Sequence, residues 1–133
     1  MAIHDEIAIE RTMALYAQLL DDRDVDGYLE LFAENASFVS AVSGTHVGIN
    51  AIRASIESIY ASQPPERRTE HLFGKSVIVV DGDQARAITD VVVYDRVGSG
   101  AWQLFTINRH FDRFIRTASG WLFIEKRIER RLA

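Results

Sequence analysis

Cysteine is absent from the 133 residues, which removes disulfides, thiolate nucleophiles and cysteine-ligated metals at once. Such a chain is compatible with a reducing compartment. Proline occurs only at Pro64 and Pro65, so a single place is marked where a helix must stop. Long apolar runs are missing: Val77 to Val80 and Val91 to Val93 are the longest aliphatic stretches, against the roughly 20 residues a spanning helix needs. The opening Met1-Ala2-Ile3-His4-Asp5-Glu6 carries acids where a signal peptide carries bases. Positive charge is also short. Fifteen Lys and Arg against 19 Asp and Glu leave a net charge of −4, which gives no electrostatic footprint for a phosphate backbone. These absences predict a cytoplasmic protein with neither nucleic acid nor membrane among its partners.

Several chemical signatures are missing as well. No Gly-x-Gly-x-x-Gly precedes a helix, no Walker-type loop or Gly-x-Ser-x-Gly elbow occurs, and no two histidines stand at metal-ligand spacing. The expectation is chemistry without nucleotide, metal or other cofactor.

What the chain does have is apolar content, 47% of its residues, enough for one domain over 1–133 with a real core and no room for a second. It shows no internal repeat, linker or low-complexity segment. Ile9, Met13, Tyr16 and Leu20 follow one face of a helix and predict a first helix over 5–21, capped at Asp5. Asp24 is a suitable N-cap for a short second helix carrying Val25, Tyr28, Leu29 and Phe32, which the chain leaves at Glu34-Asn35. A first strand is expected over 36–42, then a loop from Gly44 to Gly48. A third helix, capped by Asn50 and carrying Ile52, Ile56 and Ile59, runs to the proline pair. The second half reads as four strands, 69–80, 84–97, 101–116 and 121–131, separated by Asp81-Gly82-Asp83, Gly98-Ser99-Gly100 and Ala118-Ser119-Gly120. Antiparallel hairpins of that length must twist, and three helices on one face of such a sheet make an α+β layer.

Two short segments about fifty residues apart carry the chemistry: Leu20-Asp21-Asp22-Arg23 at the end of the first helix, and Arg68-Thr69-Glu70-His71 on a strand. A fold that joins them owns a carboxylate–imidazole dyad, a competent proton-transfer pair near neutral pH. Without that juxtaposition, Asp21 is one of a solvated acidic run and His71 a strand histidine satisfied by backbone.

The order of elements, the Asp-x-Asp helix start, the Gly-x-x-x-Gly loop, and the closing Asn108-Arg109-His110-Phe111-Asp112-Arg113-Phe114 and Gly120-Trp121-Leu122-Phe123 resemble the SnoaL-like branch of the NTF2-like superfamily. The resemblance covers nearly the whole chain. It implies a cone: a curved, mostly antiparallel sheet wrapped around an apolar pocket roofed by the three N-terminal helices. In site pattern the chain is most similar to scytalone dehydratase-like proteins and to the related dehydrochlorinase and bile-acid dehydratase types. Those pair an Asp at the end of helix one with a His in an Arg-Thr-x-His-like strand start, matched by Asp21 and His71. They also carry a pocket Asn in an Asn-x-His-aromatic stretch, matched by Asn108. Two tyrosines of scytalone dehydratase fall at Leu20 and Ser40, and its second pocket histidine falls at Tyr94.

The steroid isomerase branch needs a carboxylate where this chain has Ser40, although its oxyanion-hole tyrosine would match Tyr16, so that mechanism is rejected. A polyketide cyclase-type acid near Asp112 stays open as an alternative, as does a non-catalytic binding domain; Asp112 otherwise reads as a solvated ion pair with Arg113 or Arg116. His110 reads as structural.

The resemblance therefore implies a lyase of the dehydratase type acting on a small-molecule substrate, with His71 as base, Asp21 as its orienter, Asn108 polarising a substrate oxygen and Tyr94 protonating a leaving hydroxyl or binding an enolate. Tyr16, Phe32, Phe38, Ser40, Phe73, Tyr94 and Trp102 are the expected wall. Isomerisation is the other outcome of the same base. Phe105, Ile107, Phe111 and Ile115, spaced at intervals of two, define an outer sheet face that needs cover and predict a homodimer or homotrimer. The cationic end, Lys126-Arg127-Ile128-Glu129-Arg130-Arg131, reads as an edge or last strand with one wet face.

Overall fold

A computed structural model describes residues 2–131. Among them, α1 (Ala2–Asp21), α2 (Val25–Leu29) and α3 (Ile49–Ala61) accompany six strands: β1 (Phe32–Ser40), β2 (Gly44–Val47), β3 (Arg67–Asp81), β4 (Gln84–Val97), β5 (Gln103–Thr117) and β6 (Gly120–Arg130). The strand order is β2-β1-β6-β5-β4-β3. Every neighbouring pair is antiparallel except β1 with β6, which runs parallel. This is the α+β, mostly antiparallel arrangement the sequence implies. No described helix is long and apolar enough to cross a membrane.

The helix-one stripe does what its spacing requires: Ile9, Met13 and Tyr16 are buried against the sheet. Tyr16 sits at the centre of an aromatic cluster, with ring centroids 5.3 Å from Tyr28, 5.6 Å from Phe123 and 6.0 Å from Phe73. Asp24 caps α2 through its carboxylate, which accepts the Gly27 N–H at 3.0 Å.

Several boundaries differ from the sequence reading. The second helix ends at Leu29, and β1 begins at Phe32 instead of Ala36. The Gly44–Gly48 segment is a short strand paired antiparallel with β1 instead of a loop. Gly48, not Asn50, occupies the cap of α3, at φ 90° and ψ 156°, a conformation reserved for glycine. The cationic last strand lies between β1 and β5, so it is interior to the sheet instead of an edge.

Shifts of register bend the long strands. They fall between Phe73 and Ser76 in β3, beside Val93–Tyr94 opposite β5, and beside Arg113–Phe114 opposite β6. Each inserts an unpaired residue and adds local curvature, which closes the sheet into a cone. Phe114, Phe123, Ala85, Ala87 and Trp121 pack with α1 in the core. Beyond the His110 layer the inner face changes to Val93, Thr106, Asn108 and Ile128, and the space beneath the end of α1 stays open.

Candidate active site

The open end is a cavity of about 340 Å³, in the range of small-ligand pockets. Its wall combines Leu20, Phe38, Val42, Ile56, Ile59, Val93 and Ile128 with a few polar groups, among them Thr69, His71 and Asn108.

The end of α1 and the start of β3 meet at this wall. Nδ1 of His71 is 2.6 Å from Oδ1 of Asp21. The same carboxylate accepts the Thr69 hydroxyl at 2.8 Å on Oδ1 and the His71 backbone N–H at 2.9 Å on Oδ2. Asp21 is thus held by three hydrogen bonds from one strand, and its side chain is only 11% exposed. An ionised carboxylate next to Nδ1 fixes the proton there and leaves Nε2 as the acceptor nitrogen. Thr69 and His71 point the same way because strand side chains alternate.

Other expected residues divide into those at the cavity and those away from it. Tyr16, Phe38, Ser40 and Asn108 line it. The Thr106 hydroxyl donates to Asn108 Oδ1 across a long 3.4 Å, which leaves the amide N–H groups available. Tyr94 does not line it. His71 pairs with Val93, and Tyr94, the next residue of β4, pairs with Glu70 and Leu104 on the opposite sheet face. Trp102 is 43% exposed and lies outside, under the Arg96 guanidinium at 4.9 Å. Phe73 faces inward one layer deeper, 5.3 Å from the His110 ring, and Phe32 is buried in the core. Neither lines the cavity.

Phe105 overturns a parity argument. The irregularity between Val93 and Tyr94 leaves it as the extra residue of β5, and it turns to the pocket wall instead of the outer face, beneath the Arg67 guanidinium at 4.8 Å.

Beneath the floor lies a second polar group, in which His110 is structural as the sequence suggests, while Asp112 is not the solvated ion pair expected of it. Lys126 is fully buried, with Nζ 2.8 Å from Oδ1 of Asp112 and 2.9 Å from Nδ1 of His110. It also lies 4.2 Å from the Tyr16 ring centroid and 4.7 Å from that of Phe123. Asp112 therefore pairs with Lys126, while Arg113 pairs with Glu125, and Arg116 with Asp5 and Asp83. Burial pushes the Lys126 ammonium down and the Asp112 carboxyl up from their ordinary values, each opposed by the other's charge. Burial and the neighbouring Lys126 hold His110 well below the usual histidine range, so it is neutral. Lys126 donates to Nδ1, so the proton sits on Nε2, which has no partner among the described residues.

Sequence reasoning missed Arg23, Tyr60, Gln63, Arg67 and Arg130 at the cavity. Thr69 was within reach, since it is two residues from His71 on the same face. Tyr60 was too, standing one helical turn beyond Ile56. Burial, with Asp21 adding to it against the opposing charge of Arg23, pushes the Tyr60 phenol up to about 12. Tyr60 donates to the Leu20 carbonyl at 2.8 Å, which fastens α3 to the end of α1.

The SnoaL-like domain family matches this chain over residues 1–127. An NTF2-like protein with a cystatin-like fold from Novosphingobium aromaticivorans is 25% identical, with 99% of this chain and 85% of that one covered and a TM-score of 0.84. ActVI-ORFA from Streptomyces coelicolor is 18% identical, with both chains covered in full and a TM-score of 0.87. A protein proposed to be a scytalone dehydratase, also from Novosphingobium aromaticivorans, is 21% identical, with 98% and 87% covered and a TM-score of 0.85. No curated protein sequence matches this chain.

Proposed function

The chain belongs to the SnoaL-like family, and from that membership we propose that it is a cofactor-independent, cytoplasmic lyase of the dehydratase type, taking a proton and a leaving group from a small, apolar, cyclic substrate. One observation carries the reading: a carboxylate held by three hydrogen bonds stands 2.6 Å from an imidazole at the wall of an open, mostly apolar cavity. A solvated acidic run or a backbone-satisfied histidine would not produce that arrangement.

His71 Nε2 is the base, and it removes a proton beside a carbonyl or leaving group. Asp21 holds Nδ1–H and stabilises the imidazolium that forms. Asn108 donates an amide N–H to the substrate oxygen that gains charge. Tyr94 lies on the other sheet face, so the acid role that the resemblance implies for it passes to the imidazolium itself, which returns its proton to the departing hydroxyl. The hydroxyl then leaves as water, and the electrons of the broken C–H bond form the double bond. The working unit is a homodimer or homotrimer.

Mass spectrometry of cyclic hydroxy-ketones and phenolic hydroxy compounds incubated with the protein tests the proposal. The expected product is lighter by one water in wild type and absent with His71→Ala. If the product persists in a well-folded His71→Ala variant, His71 is not the base; if wild type binds these compounds and forms no product from any of them, a non-catalytic ligand-binding domain becomes the better description.

A further inference from the structure

We propose that the pocket selects substrates with a carboxylate on their apolar body and that Arg23 anchors it; this rests on the cavity being the substrate site.

The cavity wall runs against the composition of the chain. Arg23, Arg67 and Arg130 line it, and no Asp or Glu does, although acids outnumber bases by 19 to 15. Arg67 is already answered: its Nε and Nη2 lie 3.0 and 2.9 Å from one oxygen of Asp95, and both side chains are mostly buried. Asp21 stands behind His71 and Thr69, engaged by them. Arg23 and Arg130 make no ion pair among the described residues. Asp22 and Glu70 share an outer groove with Arg23 without pairing to it. A mostly apolar cavity with uncompensated guanidinium groups on its wall suits a molecule with an apolar body and one anionic group.

Arg23 is also where the backbone favours a different residue. It is the sole non-glycine with positive φ among the described residues, at 58°. There it closes α1: Asp24 N–H reaches the Leu19 carbonyl at 2.9 Å and Arg23 N–H the Leu20 carbonyl at 3.1 Å. Glycine makes this closure without steric cost. Instead the position holds a long cation whose guanidinium lies 4.9 Å from the Tyr60 ring centroid and donates one Nη2–H to the Arg67 carbonyl at 2.9 Å. Stacking and that single bond fix the plane of the fork, and its remaining N–H groups have no protein acceptor among the described residues. A planar carboxylate matches such a fork with two parallel hydrogen bonds. Arg23 follows Asp21 by two residues, so one helix end holds both the anchor and the partner of the base. Binding energy from the carboxylate then fixes the reacting carbon relative to His71.

Calorimetric titration with naphthalene carboxylate and its matched, neutral carboxamide tests this. Wild type is expected to bind the carboxylate about tenfold or more tightly than the carboxamide, with the gap narrowing as salt is raised. Arg23→Gly removes the guanidinium and relieves the backbone, so its melting temperature should hold or rise while the preference disappears and carboxamide binding stays. Arg23→Asn, which also tolerates the left-handed conformation, should behave alike. Arg23→Lys should retain part of the preference. His71→Ala should keep all of it, which separates the anchor from the dyad. Equal affinity for the two compounds, no measurable binding of the carboxylate, or an unchanged preference in Arg23→Gly would each overturn the proposal.

Discussion

Asp21 and His71 matter because of what surrounds them. Thr69 and the His71 backbone N–H each donate to the carboxylate, one to each oxygen, so the oxygen that holds the imidazole is fixed against rotation. Replacing His71 by Ala should abolish turnover of an identified substrate. Asp21→Asn should lose about a hundredfold or more, because a positioned base contributes roughly 10² to 10⁴ and the amide cannot stabilise imidazolium. A folded Asp21→Asn protein with wild-type turnover would sink the mechanism. Lys126 gives a contrasting case, since its charge is legible and its burial is not. Lys-Arg-x-Glu-Arg-Arg reads as a wet strand by composition alone, and only the neighbouring Asp112, His110 and Tyr16 make an interior ammonium tolerable. Lys126→Met should cost about 3–5 kcal/mol in denaturant unfolding, since Asp112 would be left buried and unpaired, while Lys126→Met with Asp112→Leu should recover most of it. A single variant as stable as wild type would show that Asp112 does not need its partner.

At the scale of elements, patterns with a long period were the most legible. The helix-one stripe and the turns at Gly82, Gly98–Gly100 and Gly120 are local signals that the fold did not override. The failures come from places where one residue changes the count. The extra residue at Phe105 reverses an inward–outward assignment, and nothing in Leu104-Phe105-Thr106 announces a bulge. Gly44–Val47 pairs with β1 although it looks like a loop, because its partner is supplied by the turn after Ser40. Position in the family pattern puts Tyr94 at the pocket; its register with Glu70 and Leu104 puts it on the other face. The amino end of α1 shows how an element is tied down across 111 positions of sequence. Both Nη atoms of Arg116 reach the Asp5 carboxylate, at 2.8 and 2.9 Å, and this hydrogen-bonded pairing holds Asp5 below the ordinary carboxylate range. A depressed carboxyl value means the unfolded chain binds the proton more tightly. The contribution is therefore complete above the unfolded value and is lost as pH falls through the folded one. Melting temperature should drop on acidification, and Asp5→Asn should lower it at neutral pH while shrinking that drop. An identical acid profile in the variant would mean that other carboxylates govern it.

The cone directs its polar chemistry inward, which leaves the outside of the sheet to be explained at the scale of the whole molecule. Leu72, Val92 and Ile107 stand in register across β3, β4 and β5, and Val77, Ile88 and Phe111 form a second row. Leu72 is 53% and Val77 69% exposed. Part of this face is already covered, since Arg127 lies 4.2 Å from the Phe111 ring centroid, and Phe105 does not belong to it. The rows that remain are centred on β3 and β4 instead of on β5 alone. Contiguous apolar rows on a sheet face are poorly matched to water and well matched to a second copy of the same face, since a two-fold axis brings each row against its counterpart. A homodimer through this face is therefore expected at micromolar concentration by light scattering, whereas a homotrimer would need a head-to-tail contact between different patches. Leu72→Lys with Ile88→Lys should give a monomer that keeps its helical and sheet circular dichroism, because neither side chain contributes to the core or the cavity. A wild-type monomer, or an oligomer unaffected by both charges, would exclude this face as the contact.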